Sequence, residues 1–133
     1  MPNAGVVSSY SVSRMGMVHT ISGSVPDNQT APCWVVLSGN GRFAYTTNTG
    51  SGSVSSYAIG FDGTLTLLNS VAANTGSGSG PLDAAISNDK RFMYFLTPGT
   101  GNIQGFELGT DGSLTTVNTI SPIPASAGGL AAR

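Results

Sequence analysis

The chain has 133 residues, only 8% of them charged, and a formal net charge of −1. That length suits one ordinary domain, while the charged share is about a third of the usual globular fraction. The five basic residues, Arg14, Arg42, Lys90, Arg91 and Arg133, form no run, which excludes electrostatic binding of nucleic acid or of an anionic membrane.

Other features narrow the class. Cys33 is the sole cysteine, so no internal disulfide is available and the redox compartment stays open. No apolar run reaches the length of a membrane span, so membrane insertion is not expected. The opening Met1-Pro2-Asn3-Ala4-Gly5 has neither the charged nor the apolar region of a secretion signal. Nineteen glycines and many Ser, Thr and Asn, with few charges, point to strands buried on both faces and joined by tight polar turns. Recurring Tyr, Phe, Val and Ile argue against disorder.

Taken in order, residues 5–25 read as the back half of a repeat. Gly5-Val6-Val7-Ser8-Ser9-Tyr10 aligns with Gly52-Ser53-Val54-Ser55-Ser56-Tyr57. The front half of that unit has no counterpart, so the chain is expected to begin inside a repeat. A full unit follows. Cys33–Leu37 is a short apolar run, and Ser38-Gly39-Asn40-Gly41 is a hairpin turn of the Asn-Gly kind, whose type I′ form needs positive φ at both central residues. Arg42–Thr47 alternates as a period-two strand. Strands are expected at Ser53–Ile59 and Leu65–Ala72, around the Asp62-Gly63 turn.

Residues 32–71 recur as 81–120 with an offset of 49 and no gap, and thirteen of the forty pairs are identical. Strands are therefore expected at 82–87, 91–97, 102–108 and 114–120. The stretch Asn74–Gly80 resembles a linker, but its place between repeats makes it a surface loop. The tail 121–133 shows no periodicity. A long fixed period of four short antiparallel strands is the pattern of an all-β fold of β-propeller blades. It implies one partial-propeller domain over 1–133: a half blade at 5–25, full blades at 32–72 and 81–120, and the tail.

The stretches Ser38-Gly-Asn-Gly-Arg-Phe-Ala-Tyr45, Gly50–Tyr57 and Asp62-Gly-Thr-Leu65 resemble the lactonase-type seven-bladed propellers, whose best-known member is a phosphogluconolactonase. Ser87–Tyr94 and Asp111–Leu114 repeat the signature. The resemblance runs from about Gly5 to Ile120. It implies seven blades, against two and a half here, so the chain is expected to be the C-terminal part of a longer protein or the product of a truncated gene. Further blades or self-association would then be needed to cover the outer faces. The function implied is hydrolysis of a sugar lactone or related cyclic ester by the full-length protein. The alternative is a non-catalytic, extracytoplasmic or cell-surface propeller used for binding or scaffolding, and fold alone does not separate them.

In a propeller the loops that carry ligands share one rim, here 27–31, 48–52, 74–80 and 98–101, and a small-molecule ligand would bind there. Trp34 and Asp83 occupy the same repeat position at the start of the innermost strand, and they differ where their surroundings agree. Asp83, Trp34 and Asn48 are the substrate-binding candidates. No catalytic residue can be carried over from the family, because no catalytic motif is readable. His19, the only histidine, falls on an outer strand, which argues against a Ser-His-Asp triad. Arg42 and Arg91 recur at a turn on the opposite rim, as structural residues do. One Cys and one His far apart offer no zinc ligand set, and Gly76–Gly80 lacks the lysine and helix of a phosphate loop, so no metal or cofactor is expected.

Overall fold

The protein is described by a computed structural model over residues 5–133. Ten strands and no helix fill the described residues: β1 (Val6–Val12), β2 (Val18–Pro26), β3 (Pro32–Leu37), β4 (Phe43–Asn48), β5 (Ser53–Ile59), β6 (Leu65–Asn74), β7 (Ala84–Ile86), β8 (Phe92–Thr97), β9 (Asn102–Leu108) and β10 (Leu114–Ile120). They make three antiparallel sheets, β1-β2, β3-β4-β5-β6 and β7-β8-β9-β10, each in simple sequence order. The fold is all-β and built from four-stranded propeller blades, with one two-stranded sheet at the end.

Turn chemistry sets the register. The loop after β3 is not the type I′ turn expected from Asn40-Gly41, because Gly41 alone has positive φ, 69°. Instead Asn40 Oδ1 accepts from the Ser38 hydroxyl (2.7 Å) and the Arg42 N–H (3.0 Å), and the longer loop closes with the Ser38 N–H donating to the Phe43 carbonyl. Local side-chain bonds of this kind compete with the two-residue turn. The second blade repeats the device with Asp89 Oδ1 and the Ser87 hydroxyl, and Lys90 takes the left-handed position at φ 63°. The turns at Asp62 and Asp111 are built alike: each Oδ1 accepts the N–H and the hydroxyl of the residue two ahead, Thr64 or Ser113. Those bonds hold the carboxyls of Asp62, Asp89 and Asp111 below their ordinary range.

Two strands differ from the sequence expectation by more than one residue. β7 holds three residues, yet its ladder continues through the Leu82 N–H to the Leu96 carbonyl and the Leu96 N–H to the Asp83 carbonyl. β6 runs on to Asn74, because register shifts along β5 let the outer strand reach Ser53.

The middle blade is packed on both faces. β4 is buried at every position, as is β5 through Tyr57. On one side Phe43, Tyr45 and Val54 meet Met93, Phe95 and Phe106 of the last blade, with Phe95 and Phe106 edge to face at 5.6 Å. On the other side Ala44 and Tyr57 meet Val7 and Val25 of the first sheet. Period-two alternation thus sends successive β4 residues to opposite neighbours, which is why so few charges fit the sequence. Arg42 and Arg91 lie over the rings of Phe43 and Phe92, 6.0 Å and 5.1 Å from their centroids, and Arg91 also pairs with Glu107 at 3.2 Å.

Corresponding interlocks join the sheets. The fully buried Tyr45 hydroxyl donates to the Gly112 carbonyl at 2.7 Å, and a Cβ on Gly112 would lie 2.7 Å from Phe43 Cδ1. At the matching glycine, Gly63, the Ser9 hydroxyl donates to the carbonyl at 2.8 Å and Ile21 fills the space. The two-stranded sheet therefore covers with Ser9 and Ile21 the spot that Tyr45 and Phe43 cover in the next interface.

The tail also has a place. The Ile123 N–H donates to the Gly101 carbonyl, as the Asp27 N–H does to Gly5 and the Thr75 N–H to Gly52. Residues 27, 75 and 123 are evenly spaced, so the tail sets out along the route of the two inter-blade crossings. Further on, Leu130 to Arg133 share a groove with Tyr94, Ile103 and Ile120 on the outer face of the last blade.

Candidate functional site

One end of the sheets carries the loops expected to form a ligand rim, and hydrogen bonds tie them together. The Thr49 and Gly50 N–H groups donate to the Ala31 and Thr30 carbonyls, and the Thr30 N–H donates to the Ser51 hydroxyl at 2.8 Å. One blade along, the Gly99 N–H donates to the Ser79 carbonyl, and the Thr75 and Ser79 hydroxyls share a bond of 2.8 Å. The rim bends sharply at several positions of left-handed backbone. Among them are Asn28 (φ 60°) and Ala31 (φ 56°), neither of which is glycine.

The three candidates do not share one environment. Trp34, the third residue of β3, has about half its surface exposed, 48%. Its backbone N–H donates to the Thr47 hydroxyl, which donates in turn to the Leu82 carbonyl at 2.7 Å, so Trp34 and Asp83 are carried by adjacent innermost strands. Asp83 is half-buried, and both carboxylate oxygens accept backbone N–H groups at 2.7 Å, one from Ala84 and one from Leu130. Asn48 stands apart from them. It is fully buried on the side of β4 that faces the first sheet, and its amide nitrogen donates to the Ser53 and Ser55 hydroxyls. His19 is exposed on β2, opposite Ser11.

Sequence reasoning missed Asp27. This carboxylate lies within the rim segment 27–31 and is fully buried. Its Oδ1 accepts the Gln29 N–H at 2.8 Å, a turn bond like that of Asn74 with Gly76, while Oδ2 has no partner among the described residues. From Gln29 the bonds continue: its amide nitrogen donates to the Ser70 hydroxyl and its amide oxygen accepts from Ser53. Ser70 donates onward to the Asp27 carbonyl. Burial first, and the Asp27 charge second, push the Tyr57 phenol above its ordinary range. The available signal was a carboxylate in a crossing turn where the next crossing has the amide of Asn74.

Chemically, the rim offers an exposed indole, a carboxylate held by backbone amides, and loop N–H groups. Opening a cyclic ester needs a base for water and donors for the oxyanion.

A family model described as a lactonase, 7-bladed beta-propeller, matches residues 2–84. No curated protein matches the chain in sequence. Among solved structures, a protein from Lactobacillus plantarum superposes with TM-score 0.74 at 17% identity, covering 95% of this chain and 39% of its own. A functionally unknown protein from Desulfotomaculum acetoxidans gives 0.73 at 21%, covering 90% and 38%. The periplasmic gluconolactonase of Pseudomonas aeruginosa gives 0.69 at 21%, covering 92% and 37%. The chain thus spans under two fifths of the length of each of these, and at such identities the likeness is one of fold.

Proposed function

Because this chain belongs to the lactonase family of seven-bladed β-propellers, we propose that it serves the hydrolysis of a sugar lactone or related cyclic ester. The family match over residues 2–84 carries the reading, and a structural neighbour that is a gluconolactonase supports the substrate class. In this reading Trp34 presents an apolar face to a sugar ring at the channel mouth. Asp83 orders the strand start beside it and takes part in orienting water. Asn48 lies behind the rim and keeps its loop in shape.

A binding or scaffolding propeller is the second reading, and one observation favours it: both Asp83 oxygens are already committed to backbone N–H groups. The two readings separate in a pH-stat assay over a panel of five- and six-membered sugar lactones. The chain is assayed alone and within any longer product of the same reading frame. The hydrolase reading expects turnover above the buffer rate, with Trp34→Ala raising KM and Asp83→Asn lowering kcat. Binding of the same lactones without turnover supports the second reading, and undiminished hydrolysis by Asp83→Asn removes Asp83 from the mechanism.

A further inference from the structure

Three buried side-chain oxygens lack a partner among the described residues: Asp27 Oδ2, Thr46 Oγ1 and Asn48 Oδ1. Their residues are 0%, 1% and 0% exposed. All three belong to the interface between the two-stranded sheet and the middle blade. Thr46 and Asn48 are two apart on β4, on the face that Ala44 turns to Val7, and Thr46 lines a cleft with Val7, Ser8 and Pro32. Asn48 pairs with Pro32 across the ladder. A Cβ on Gly5 would lie 2.7 Å from Pro32 Cγ and 2.8 Å from Asp27 Oδ1, so the Asp27 carboxylate and the Pro32–Asn48 rung both adjoin Gly5. The bonded path Asn48–Ser53–Gln29–Asp27 closes the circle.

The described basic side chains lie elsewhere. Arg42 lies over Phe43, Arg91 is on Glu107, the Lys90 stem covers Gly39, Arg133 shares the last blade's groove, and Arg14 is exposed in the β1–β2 turn. A carboxylate taken out of water without a countercharge is costly. The amide and carboxylate oxygens here can only accept, and the Thr46 hydroxyl can accept as well.

We propose that Asp27, Thr46 and Asn48 hold a single hard cation between the first sheet and the middle blade. An all-oxygen set with one carboxylate suits Na⁺, K⁺ or Ca²⁺ rather than a thiolate- or imidazole-seeking metal. The low ligand charge makes the site a weak one, filled at millimolar concentrations. Its role is structural, since it neutralises a buried charge at the joint.

Thermal melts of the chain test this in choline chloride, NaCl, KCl and CaCl₂ at equal ionic strength. One metal salt is expected to raise Tm saturably, by about 5–10 °C at a hundredfold excess over Kd. Asp27→Asn is expected to melt above the wild type in choline and to respond to no cation. Asn48→Asp supplies a second carboxylate, so it should fall below the wild type in choline and gain at least tenfold in Ca²⁺ affinity by calorimetry. A wild-type Tm equal in all four salts overturns the proposal. So does a Tm that ignores cations and rises on acidification, which would mean that Asp27 is buried as the neutral acid. Equal cation shifts in wild type and Asp27→Asn overturn it as well.

Discussion

Ala31 holds a left-handed backbone at φ 56°, and the matching position of the second unit, Gly80, holds φ 55°. The conformation is imposed by the joint between the crossing and the innermost strand, where the Ala31 carbonyl takes the Thr49 N–H. A Cβ makes it costly, and glycine does not. Ala31→Gly is expected to stabilise the protein by about 1 kcal/mol, as urea denaturation would register. At the same scale the sequence was uneven in what it revealed. The turns at Asp62 and Asp111 were legible, because an Asp-Gly pair between two alternating runs is a local pattern. Asp27 was not, since its meaning depends on what buries it, and Gly5, Pro32 and Tyr57 arrive from other strands. Asp83 and Trp34 stood out as a disagreement within the repeat, and the structure adds a physical reason. Leu130, 49 residues after Pro81, has an N–H that Asp83 accepts, whereas Pro81 has none to offer.

At the scale of elements, blade joints depend on glycine turns pressed against apolar side chains, Ile21 on Gly63 and Phe43 on Gly112. Gly112 combines φ 86° with the Phe43 ring where a side chain would go. Gly112→Ala is therefore expected to cost about 2–4 kcal/mol, by strain and by displacing Phe43. Gly16→Ala, at φ 79° with nothing near its Cβ, should cost only about 1 kcal/mol. Tyr45→Phe leaves the packing intact and strips a buried carbonyl of its donor, for a loss of about 1–2 kcal/mol. Calorimetric melts of the three variants check the ranking. The element pattern itself was readable, because strand alternation and the offset of 49 reinforce each other. The loop after β3 was misjudged, since the same Asn-Gly pair serves a two-residue turn and a longer loop closed by Ser38.

Across the whole molecule, the middle blade shows what the outer sheets lack. Its neighbours cover both faces, while the first sheet leaves Tyr10 53%, Val12 67% and Val18 60% exposed on strands with little charge. Apolar surface of that kind, beside a β1 that pairs with β2 alone among the described residues, favours association. Sedimentation velocity is expected to show concentration-dependent growth in mass, reduced in the double variant Tyr10→Ser, Val12→Ser. An unchanged monomer at all concentrations would refute this. The repeat is what leads the sequence to expect such cover. It could not show the course of the tail, because that course is set by single bonds from the tail's own N–H groups, Ile123 to the Gly101 carbonyl and Leu130 to the Asp83 carboxylate, rather than by periodic side chains.

Those backbone bonds have a consequence for how such a chain can be lengthened. The crossings from the first and middle sheets, and the tail, start from a residue whose N–H is received by the glycine that stands just before β1, β5 or β9: Gly5, Gly52 or Gly101. The connector is thus indifferent to which blade it leaves, much as a pipe thread is indifferent to the length of pipe already laid. A forty-nine-residue segment copied from 81–129 and joined after Gly129 would meet a joint of the pattern already used twice. Growth by duplication then needs no new junction to be invented, only a face left open to receive the copy.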